Sequence, residues 1–319
     1  ACQTSTKVIV IGYTNDVDVY RELLSRGVSE YIVAPTDSVS IVGAISRQYQ
    51  DAGTKKLGRS LAFIGAKGGV GSSTLANNIA STIARTNGCD VILADLDLPF
   101  GGASLDFNLE PSQGIAQALQ DSSRLDDLLL ERLLTKCEDH LSVLTAPATL
   151  MESYDLEENA VVRVIELAQN NVPFVVLNVP HIWSSWTKKT LLMADEVVIT
   201  AAPDLTSLRN AKNIVDLLKQ ARPNDAPPRL VLNQIGMPKR SEIKPAKFAE
   251  ALGMELTACI SFDPSTFSAA ANRGQMIADV SGNSAMCASF VKIAQIITGS
   301  AAAKPRAKTK FALASLWGG

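Results

Sequence analysis

The feature that most constrains this chain is the alternation of short apolar runs, rich in Val, Ile and Leu, with segments of helical periodicity. A strand in the middle of a parallel sheet is covered on both faces and reads as a continuous apolar run, and the crossover to the next parallel strand is usually a helix. The alternation therefore predicts repeated βαβ units. We expect an α/β protein with a mostly parallel sheet of about seven or eight strands flanked by helices.

The composition is that of a folded protein with no strong charge of either sign. Of 319 residues, 46% are hydrophobic and 19% are charged, and the net charge is -2. No stretch approaches the roughly 18 consecutive apolar residues of a spanning helix, and the N-terminus lacks the pattern of a secretory signal. Five scattered cysteines and two histidines indicate neither a zinc site nor a disulfide framework. We therefore expect a cytoplasmic protein, and nucleic acid is not its expected partner.

The sequence pattern divides the chain into four segments. Residues 1–50 hold two βα units, too few to close a sheet, and begin without a methionine, so we interpret them as the C-terminal half of a larger domain. Residues 51–59 are polar, contain two glycines and are the predicted linker. Residues 60–298 form the predicted main domain. Residues 299–319 carry four basic residues and no acid, which predicts a flexible basic tail.

The most informative segment, residues 60–74, is an apolar run followed by a glycine-rich turn and a helical pattern. Glycines let the backbone bend so that successive N–H groups point inward, and the start of a helix adds the positive end of its dipole. Tight packing alone can also require glycine at a strand-to-helix turn, but the complete strand, turn and helix favour phosphate binding. The predicted phosphate-binding residues are Gly68, Gly69, Val70, Gly71, Ser72, Ser73 and Thr74.

The KGGVGSST run of residues 67–74 resembles the deviant Walker A box, KGGxGKTT, of the MinD/ParA-type P-loop ATPases. Further motifs are similar to those of the CpaE/TadZ branch, which is associated with assembly of tight-adherence (Flp-type) pili. The resemblance covers residues 60–298. Many members of the branch also carry an N-terminal receiver-like domain, and residues 7–49 resemble the last two βα units of such a domain. The motifs are ILADLDLPFGG, LSVLTAP, VPHIW and APDLTSLRN, at residues 92–102, 141–147, 179–183 and 202–210.

The resemblance implies roles for three residues of the loop. Lys67 matches the signature lysine, which in that family reaches across a nucleotide-sandwiched dimer and would neutralise charge that develops during phosphoryl transfer. Ser73 matches the hydroxyl that binds Mg²⁺, and Thr74 matches the hydroxyl near the α-phosphate. Without the resemblance, Ser73 has the alternative role of a helix N-cap.

Three residues outside the loop also match the family. Asp95 and Asp97 end a predicted strand as Asp-Leu-Asp, so alternation places both on one face at the carboxyl edge of the sheet. The resemblance implies that Asp97 orients the attacking water and that Asp95 holds a water of the Mg²⁺ shell. Asn233 matches the asparagine that hydrogen-bonds the adenine edge. Taken alone, the two acids could solvate a strand end and Asn233 could be a turn residue.

Three departures from the family bear on activity. Ser72 stands where the family has a second lysine, and Asn178 stands where its Walker B strand ends in an acid. Each change removes a charge that stabilises the transition state, so we expect nucleotide binding to survive better than turnover, with slow or negligible ATP hydrolysis. In the receiver-like segment, Ala34-Pro35 replaces the Lys-Pro of active receivers, so we interpret that segment as a docking or dimerisation module.

The expected function is that of an ATP-binding, dimerising localisation and assembly factor for tight-adherence pili, with ATP and Mg²⁺ as cofactors. The expected partners are a second copy and proteins of the pilus or type II-like secretion machinery. The basic tail, which ends in FALASLW before two glycines, predicts either a peripheral contact at the inner face of the membrane or at a cell pole, or a solvated segment without a partner.

Two alternatives remain open. One is a nucleotide-independent scaffold, in which Ser72 and Asn178 mark a decayed site. The other is a ParA-like DNA-partitioning ATPase, which requires a basic surface that the near-neutral charge does not indicate.

Overall fold

A computed structural model of the chain describes residues 7–14, 16, 19, 22–23, 26–50, 57–110, 113–120, 122, 124–149 and 156–300. The chain divides into two compact units, Ala1–Lys56 and Leu57–Gly319. The division falls inside the predicted linker, of which residues 51–56 lie outside the described residues, as does the predicted tail from residue 301 onwards. The end of the predicted linker belongs to the second unit, because Gly58 N donates to Gln169 O at 2.7 Å and the first strand of that unit begins at Arg59.

The first unit contains a two-stranded parallel sheet followed by a helix. Strands β1 (Ile9–Gly12) and β2 (Glu30–Val33) pair in parallel, and α1 (Ser38–Gln50) follows them. Asp37 caps α1, since Ser40 N donates to Asp37 Oδ1 at 2.8 Å. The helix predicted between the two strands falls largely outside the described residues. The likeness to a receiver stays a prediction.

The second unit is built on an eight-stranded sheet with the order β10-β9-β8-β3-β7-β4-β6-β5. All neighbouring strands are parallel except β5, which runs antiparallel to β6. This confirms the predicted α/β fold with a mostly parallel sheet. The strands are β3 (Arg59–Gly65), β4 (Val91–Asp95), β5 (Thr135–Glu138), β6 (Leu141–Leu144), β7 (Phe174–Val179), β8 (Glu196–Ala201), β9 (Arg229–Ile235) and β10 (Leu256–Ser261).

Helices cover both faces of this sheet. The helices are α2 (Ser72–Asn87), α3 (Ala103–Asp106), α4 (Ile115–Gln120), α5 (Asp127–Leu133), α6 (Glu158–Asn171), α7 (Ser185–Met193), α8 (Leu205–Ala221), α9 (Pro245–Leu252), α10 (Pro264–Arg273), α11 (Ile277–Ser281) and α12 (Ala285–Thr298). None of the helices in the described segments has the length and apolarity that crossing a bilayer requires.

The central strand β3 joins the two cores because its side chains alternate between the faces. Leu61 and Phe63 pack in one core, together with α2 and α12, whereas Ala62 and Ile64 pack in the other, together with α6 and α8. All four side chains are buried, at a gain of about 1.5–3 kcal/mol for each large one. Strand β3 lies between β7 and β8, so the loop that follows Gly65 emerges at the middle of the carboxyl edge of the sheet.

Candidate functional site

The loop between β3 and α2 has the backbone that the glycine pattern predicts. Gly69 and Gly71 have φ angles of 78° and 85°, in the left-handed region that favours glycine. A Cβ atom on Gly71 would lie 2.6 Å from Asn233 Nδ2. Backbone conformation and available space therefore both require glycine at position 71.

The N–H groups of this loop are free for a ligand. Within the part of the chain that the structure describes, no hydrogen bond is donated by the backbone N–H of Gly68, Gly69, Gly71 or Ser72. The first amide of α2 that bonds to the protein is that of Leu75, which donates to Gly71 O at 3.0 Å, and no side chain caps the 16-residue helix. Unpaired N–H groups and the positive end of a helix dipole together attract an anion.

The side chains of the loop differ in their access to a ligand. Val70 is buried, so only its backbone can contribute to binding. Ser72 is also buried, and its Oγ has no hydrogen-bond partner among the described residues. Ser73 is exposed and Thr74 is half-buried at the start of α2. A buried hydroxyl without a partner is rare in folded proteins and indicates a site for an additional polar group.

Lys67 is held by an acid of its own chain. Its Nζ lies 2.7 Å from Asp204 Oδ2, and Asp204 also caps α8, because its Oδ1 accepts from Ser207 N at 2.8 Å. Partial burial raises the pKa of Asp204, but the hydrogen bonds from Lys67 and Ser207 outweigh that effect and hold it below the ordinary value. A phosphate or a second chain that contacts Lys67 therefore meets an ammonium group that is already paired with a carboxylate.

Asp95 ends β4, which is separated from β3 by β7, and it is fully buried. Its Oδ1 accepts from Asn178 Nδ2 at 2.9 Å and from Asp97 N at 3.3 Å, and its Oδ2 accepts from Ala103 N at 3.1 Å. Burial raises the pKa of Asp95 to about 6, even though these hydrogen bonds favour the charged form. Asp95 is thus a carboxyl group that gains or loses its charge near neutral pH.

Asp97 lies outside the strand that was predicted to contain it. Strand β4 ends at Asp95, so the prediction that alternation along one strand aligns the two acids is wrong. Asp97 lies in the following loop, where its Oδ1 accepts from Phe100 N at 3.3 Å. Partial burial raises its pKa above the ordinary value, and the hydrogen bond from Phe100 only partly offsets this. The two acids nevertheless remain adjacent, through the bond from Asp97 N to Asp95.

The oxygen atoms around Asp95 are of the kind that binds a magnesium ion held mainly through water and phosphate. Asn178 Oδ1 is buried and has no partner among the described residues, which leaves an acceptor for a metal-bound water. No group of three or more His, Cys, Asp or Glu side chains in the described ranges could hold a metal ion by itself. Mg²⁺ commonly keeps several waters and binds through one or two protein oxygens and the phosphates of a nucleotide. Ser73 and Asp95 carry oxygen atoms of the kind that Mg²⁺ binds, so their role as its ligands stays a prediction.

Asn233 contacts the loop itself. Its Nδ2 donates to Val70 O at 2.8 Å, and its Oδ1 accepts from Gln234 N at 2.8 Å. Both polar atoms of the residue that was predicted to contact adenine are therefore bonded to main chain.

A cavity of about 250 Å³ opens beside Asn233. Residues of the loop form one side of it, and the segment that follows β10 forms the other. No recognised motif indicated that second side, although the run SFDPSTF at residues 261–267 combines two aromatic rings with a helix start at Asp-Pro. The lining residues are Gly69, Gly71, Thr74, Asn233, Gln234, Ser261, Phe262, Asp263, Pro264 and Phe267.

Comparison with known families agrees with this geometry. A family model described as an AAA domain matches residues 58–229, which is more than half of the chain. The chain is similar to the septum site-determining protein MinD of Bacillus subtilis (strain 168), with 26% identity over 191 residues. That match covers 56% of this chain and 66% of the relative, so the chain spans just under two thirds of the relative's length.

Two solved structures share the fold of the second unit. The crystal structure of a ParA family ATPase from Chlorobium tepidum TLS matches with a TM-score of 0.68 and 24% identity, over 75% of this chain and 98% of that one. The septum site-determining protein MinD complexed with Mg-ADP, from Pyrococcus horikoshii OT3, matches with a TM-score of 0.65 and 20% identity, over 76% of this chain and 96% of that one. At these identities the likeness concerns the fold alone.

Proposed function

Because this chain belongs to the AAA-domain family, we propose that it is a P-loop ATPase of the MinD/ParA type that binds ATP with Mg²⁺ at residues 67–74. The nucleotide would control its association with a second copy. The observation that carries the proposal is the row of unpaired N–H groups at the start of α2. Such a row, followed by a helix, is a binding site for phosphate.

Each part of the nucleotide has a candidate site on the chain. The amides of residues 68–72 would hold the phosphates, and the Ser73 and Thr74 hydroxyls lie at the start of the same helix. Ser73 would bind Mg²⁺ directly and Asp95 through a water, with Asn178 Oδ1 as a further acceptor. When bound, the metal ion would neutralise phosphate charge. The cavity beside Asn233 would take the base between polar groups and the rings of Phe262 and Phe267.

We expect hydrolysis to be slow. Ser72 supplies no charge where the family has a lysine, Asn178 supplies none where the family has an acid, and Lys67 is paired with Asp204. Asp97 remains the candidate to orient the attacking water, because it is only partly buried and adjoins Asp95. A steady-state phosphate-release assay with Mg²⁺ tests this, and turnover above about one per second, an ordinary enzyme rate, would refute it.

Apolar side chains exposed at the carboxyl edge of the sheet support association with a second copy through the nucleotide face. Phe100 follows β4, Ile182 and Trp183 follow β7, and Leu205 follows β8, and all four are more than half exposed. Large apolar side chains that are exposed at the same edge of a sheet are candidates for an interface. A nucleotide that binds the associated form more tightly stabilises it by linkage.

Light scattering during size-exclusion chromatography tests this part of the proposal. We expect a dimer with ATP and Mg²⁺, and a monomer without nucleotide or when Trp183 is replaced by Ser. Replacement of Trp186, which packs against the core of its own chain, is not a suitable control because it would destabilise the monomer. Replacement of Leu128, which is exposed on α5, is the matched control. A monomer under all conditions would contradict nucleotide-controlled dimerisation.

We further propose that the chain acts as a localisation and assembly factor of tight-adherence pili, at the inner face of the membrane or at a cell pole. The motifs similar to the CpaE/TadZ branch and the segment similar to a receiver support this role. A fluorescent fusion provides the test: we expect foci with the unchanged chain and diffuse signal with Gly71→Ala, which disrupts the loop. Identical foci for the two forms would favour the nucleotide-independent scaffold. The DNA-partitioning alternative would require association with DNA, which the net charge of -2 does not support.

The basic tail, residues 299–319, remains a candidate for peripheral membrane contact. Four basic residues followed by FALASLW support attraction to anionic lipid and shallow insertion of apolar side chains. Co-sedimentation with anionic liposomes, with and without residues 301–319, tests the proposal. Equal pelleting of the two forms would end it.

A further inference from the structure

Two consecutive side chains at the end of β9 hold two consecutive carbonyl groups of the loop. Gln234 Nε2 donates to Gly69 O at 2.8 Å, and Asn233 Nδ2 donates to Val70 O at 2.8 Å. We propose that Asn233 and Gln234 are positioning residues that set the loop for the polyphosphate of a nucleotide. This inference rests on the proposed function, because it concerns the same site.

Peptide geometry explains how hydrogen bonds to the carbonyl groups of the loop orient its N–H groups. In a trans peptide the C=O of one residue and the N–H of the next point in opposite directions. Holding Gly69 O therefore fixes the direction of the Val70 N–H, and holding Val70 O fixes that of the Gly71 N–H. Both carbonyls are held on the β9 side, so both N–H groups are directed away from β9 and its side chains. The two side-chain amides thereby orient two of the donors that a phosphate would meet.

Gln234 is itself held in place by a charged pair. Its backbone φ is 58°, and Arg240 donates both to its side chain, from Nη1 to Oε1 at 3.2 Å, and to its carbonyl oxygen. Glu242 in turn accepts from Arg240 Nη2 at 2.9 Å and from the backbone N–H of Gly236 at 3.0 Å. Hydrogen bonds to charged groups are stronger than neutral ones. Arg240 and Glu242 thus form a brace that holds Gln234 in place, and Gln234 in turn holds the loop on the β9 side.

The surroundings of Asn233 fit a positioning role. The residue is 7% exposed, and its Oδ1 accepts from Gln234 N at 2.8 Å. Its Nδ2 lies 2.6 Å from the position that a Cβ on Gly71 would take, so the side chain is packed directly against the loop. A residue that sets the loop should affect every nucleotide equally, whereas a residue that reads the base should affect ATP alone.

The test compares three ligands that share a polyphosphate and differ in the base. Mg²⁺-ATP, Mg²⁺-GTP and inorganic tripolyphosphate are titrated into the unchanged chain and into Gln234→Met, which nearly keeps the size of the side chain and adds no charge but cannot donate to Gly69 O. Tripolyphosphate is measured directly or as a competitor of ATP. We expect Gln234→Met to weaken all three by the same factor, about threefold to tenfold for one lost hydrogen bond. Gln220→Met, the same change on an exposed residue of α8, should leave all three unchanged.

A second variant protects the test against a folding defect. Arg240→Gln leaves the loop and Gln234 intact but removes the brace, and we expect a smaller loss that is again equal for the three ligands. Thermal unfolding of each ligand-free variant shows whether the chain is folded. A loss confined to ATP, or no loss in either folded variant, would overturn the inference. If the unchanged chain binds none of the three ligands, the proposed function itself fails.

Discussion

Replacing Asn178 by aspartate would bring two carboxyl groups together in a buried position where β4 and β7 pair. Asn178 and Asp95 are 1% and 0% exposed, and the amide Nδ2 lies 2.9 Å from the carboxylate Oδ1. The substitution removes this donor and puts a second acid in its place. It also restores the acid that the MinD/ParA-type family has at this position. Unfolding without metal then measures the contribution of the amide to stability, and unfolding with Mg²⁺ and ATP measures the contribution of an acid to metal binding.

The magnitude follows from two effects that have the same sign. Loss of a hydrogen bond to a charged acceptor costs about 1.5–3 kcal/mol. Two buried carboxylates in contact cannot both ionise, so the pair retains a proton, and Asp95, whose pKa is already raised to about 6, would bind that proton more tightly still. We therefore expect Asn178→Asp to lower the free energy of unfolding by about 2–4 kcal/mol at pH 8. The loss should be smaller at pH 6, because the folded state then takes up the proton more readily than the unfolded state does.

Urea unfolding at the two pH values, in EDTA, measures this effect. Asn213→Asp, the same change on an exposed residue of α8, should shift the free energy of unfolding by less than about 0.5 kcal/mol. Mg²⁺ with ATP should recover part of the loss in Asn178→Asp, since a cation favours the charged pair. A loss below about 0.5 kcal/mol at pH 8, or a loss that grows on acidification, would refute the reasoning.

Three other substitutions test the site. Because the pKa of Asp95 rises on folding from 3.8 to about 6, the unchanged chain should lose about 2 kcal/mol relative to Asp95→Asn between pH 4 and pH 7, and a pH-independent difference in urea unfolding would contradict this. Asp204→Asn keeps an N-cap but releases Lys67, so calorimetry should find ATP bound up to about fivefold more tightly, as expected for a partly exposed ion pair. Weaker binding would contradict the idea that Asp204 competes with the phosphates for Lys67. Ser72→Lys supplies the family's second cation, and we expect ATP affinity to rise at least about tenfold; equal affinity would mean that position 72 does not face the phosphates.

The sequence predicted the parts of the site that depend on local chemistry. The turn from β3 to α2 was predictable because glycine at positions 69 and 71 is required by the backbone itself, and the α/β fold was predictable because apolar runs and helical patterns alternate along the chain. The end of β4 was predicted less accurately. Asp-Leu-Asp continues the alternating pattern of the strand, but the pairing of β4 with β7 ends at Asp95.

The remaining features depend on tertiary contacts that no local pattern encodes. Lys67 and Asp204 are 137 positions apart, and Asn233 lies 163 positions from the carbonyl that it holds. The raised pKa of Asp95 depends on complete burial, which comes from packing and not from the motif. The brace formed by Arg240 and Glu242 lies in a segment without any recognised motif, so only the structure connects it with the loop.

Calorimetric titration of Mg²⁺-ATP tests the central claim most directly, which is that the loop between β3 and α2 binds the polyphosphate of a nucleotide. We expect the unchanged chain to bind with a dissociation constant below about one millimolar. Gly71→Ala, at a φ of 85° and with its Cβ 2.6 Å from Asn233 Nδ2, should weaken binding at least about tenfold, for a strain of more than about 1 kcal/mol. Gly102→Ala, where a Cβ meets nothing within 4 Å, should bind like the unchanged chain. No heat of binding from the folded, unchanged chain at millimolar nucleotide would contradict the claim.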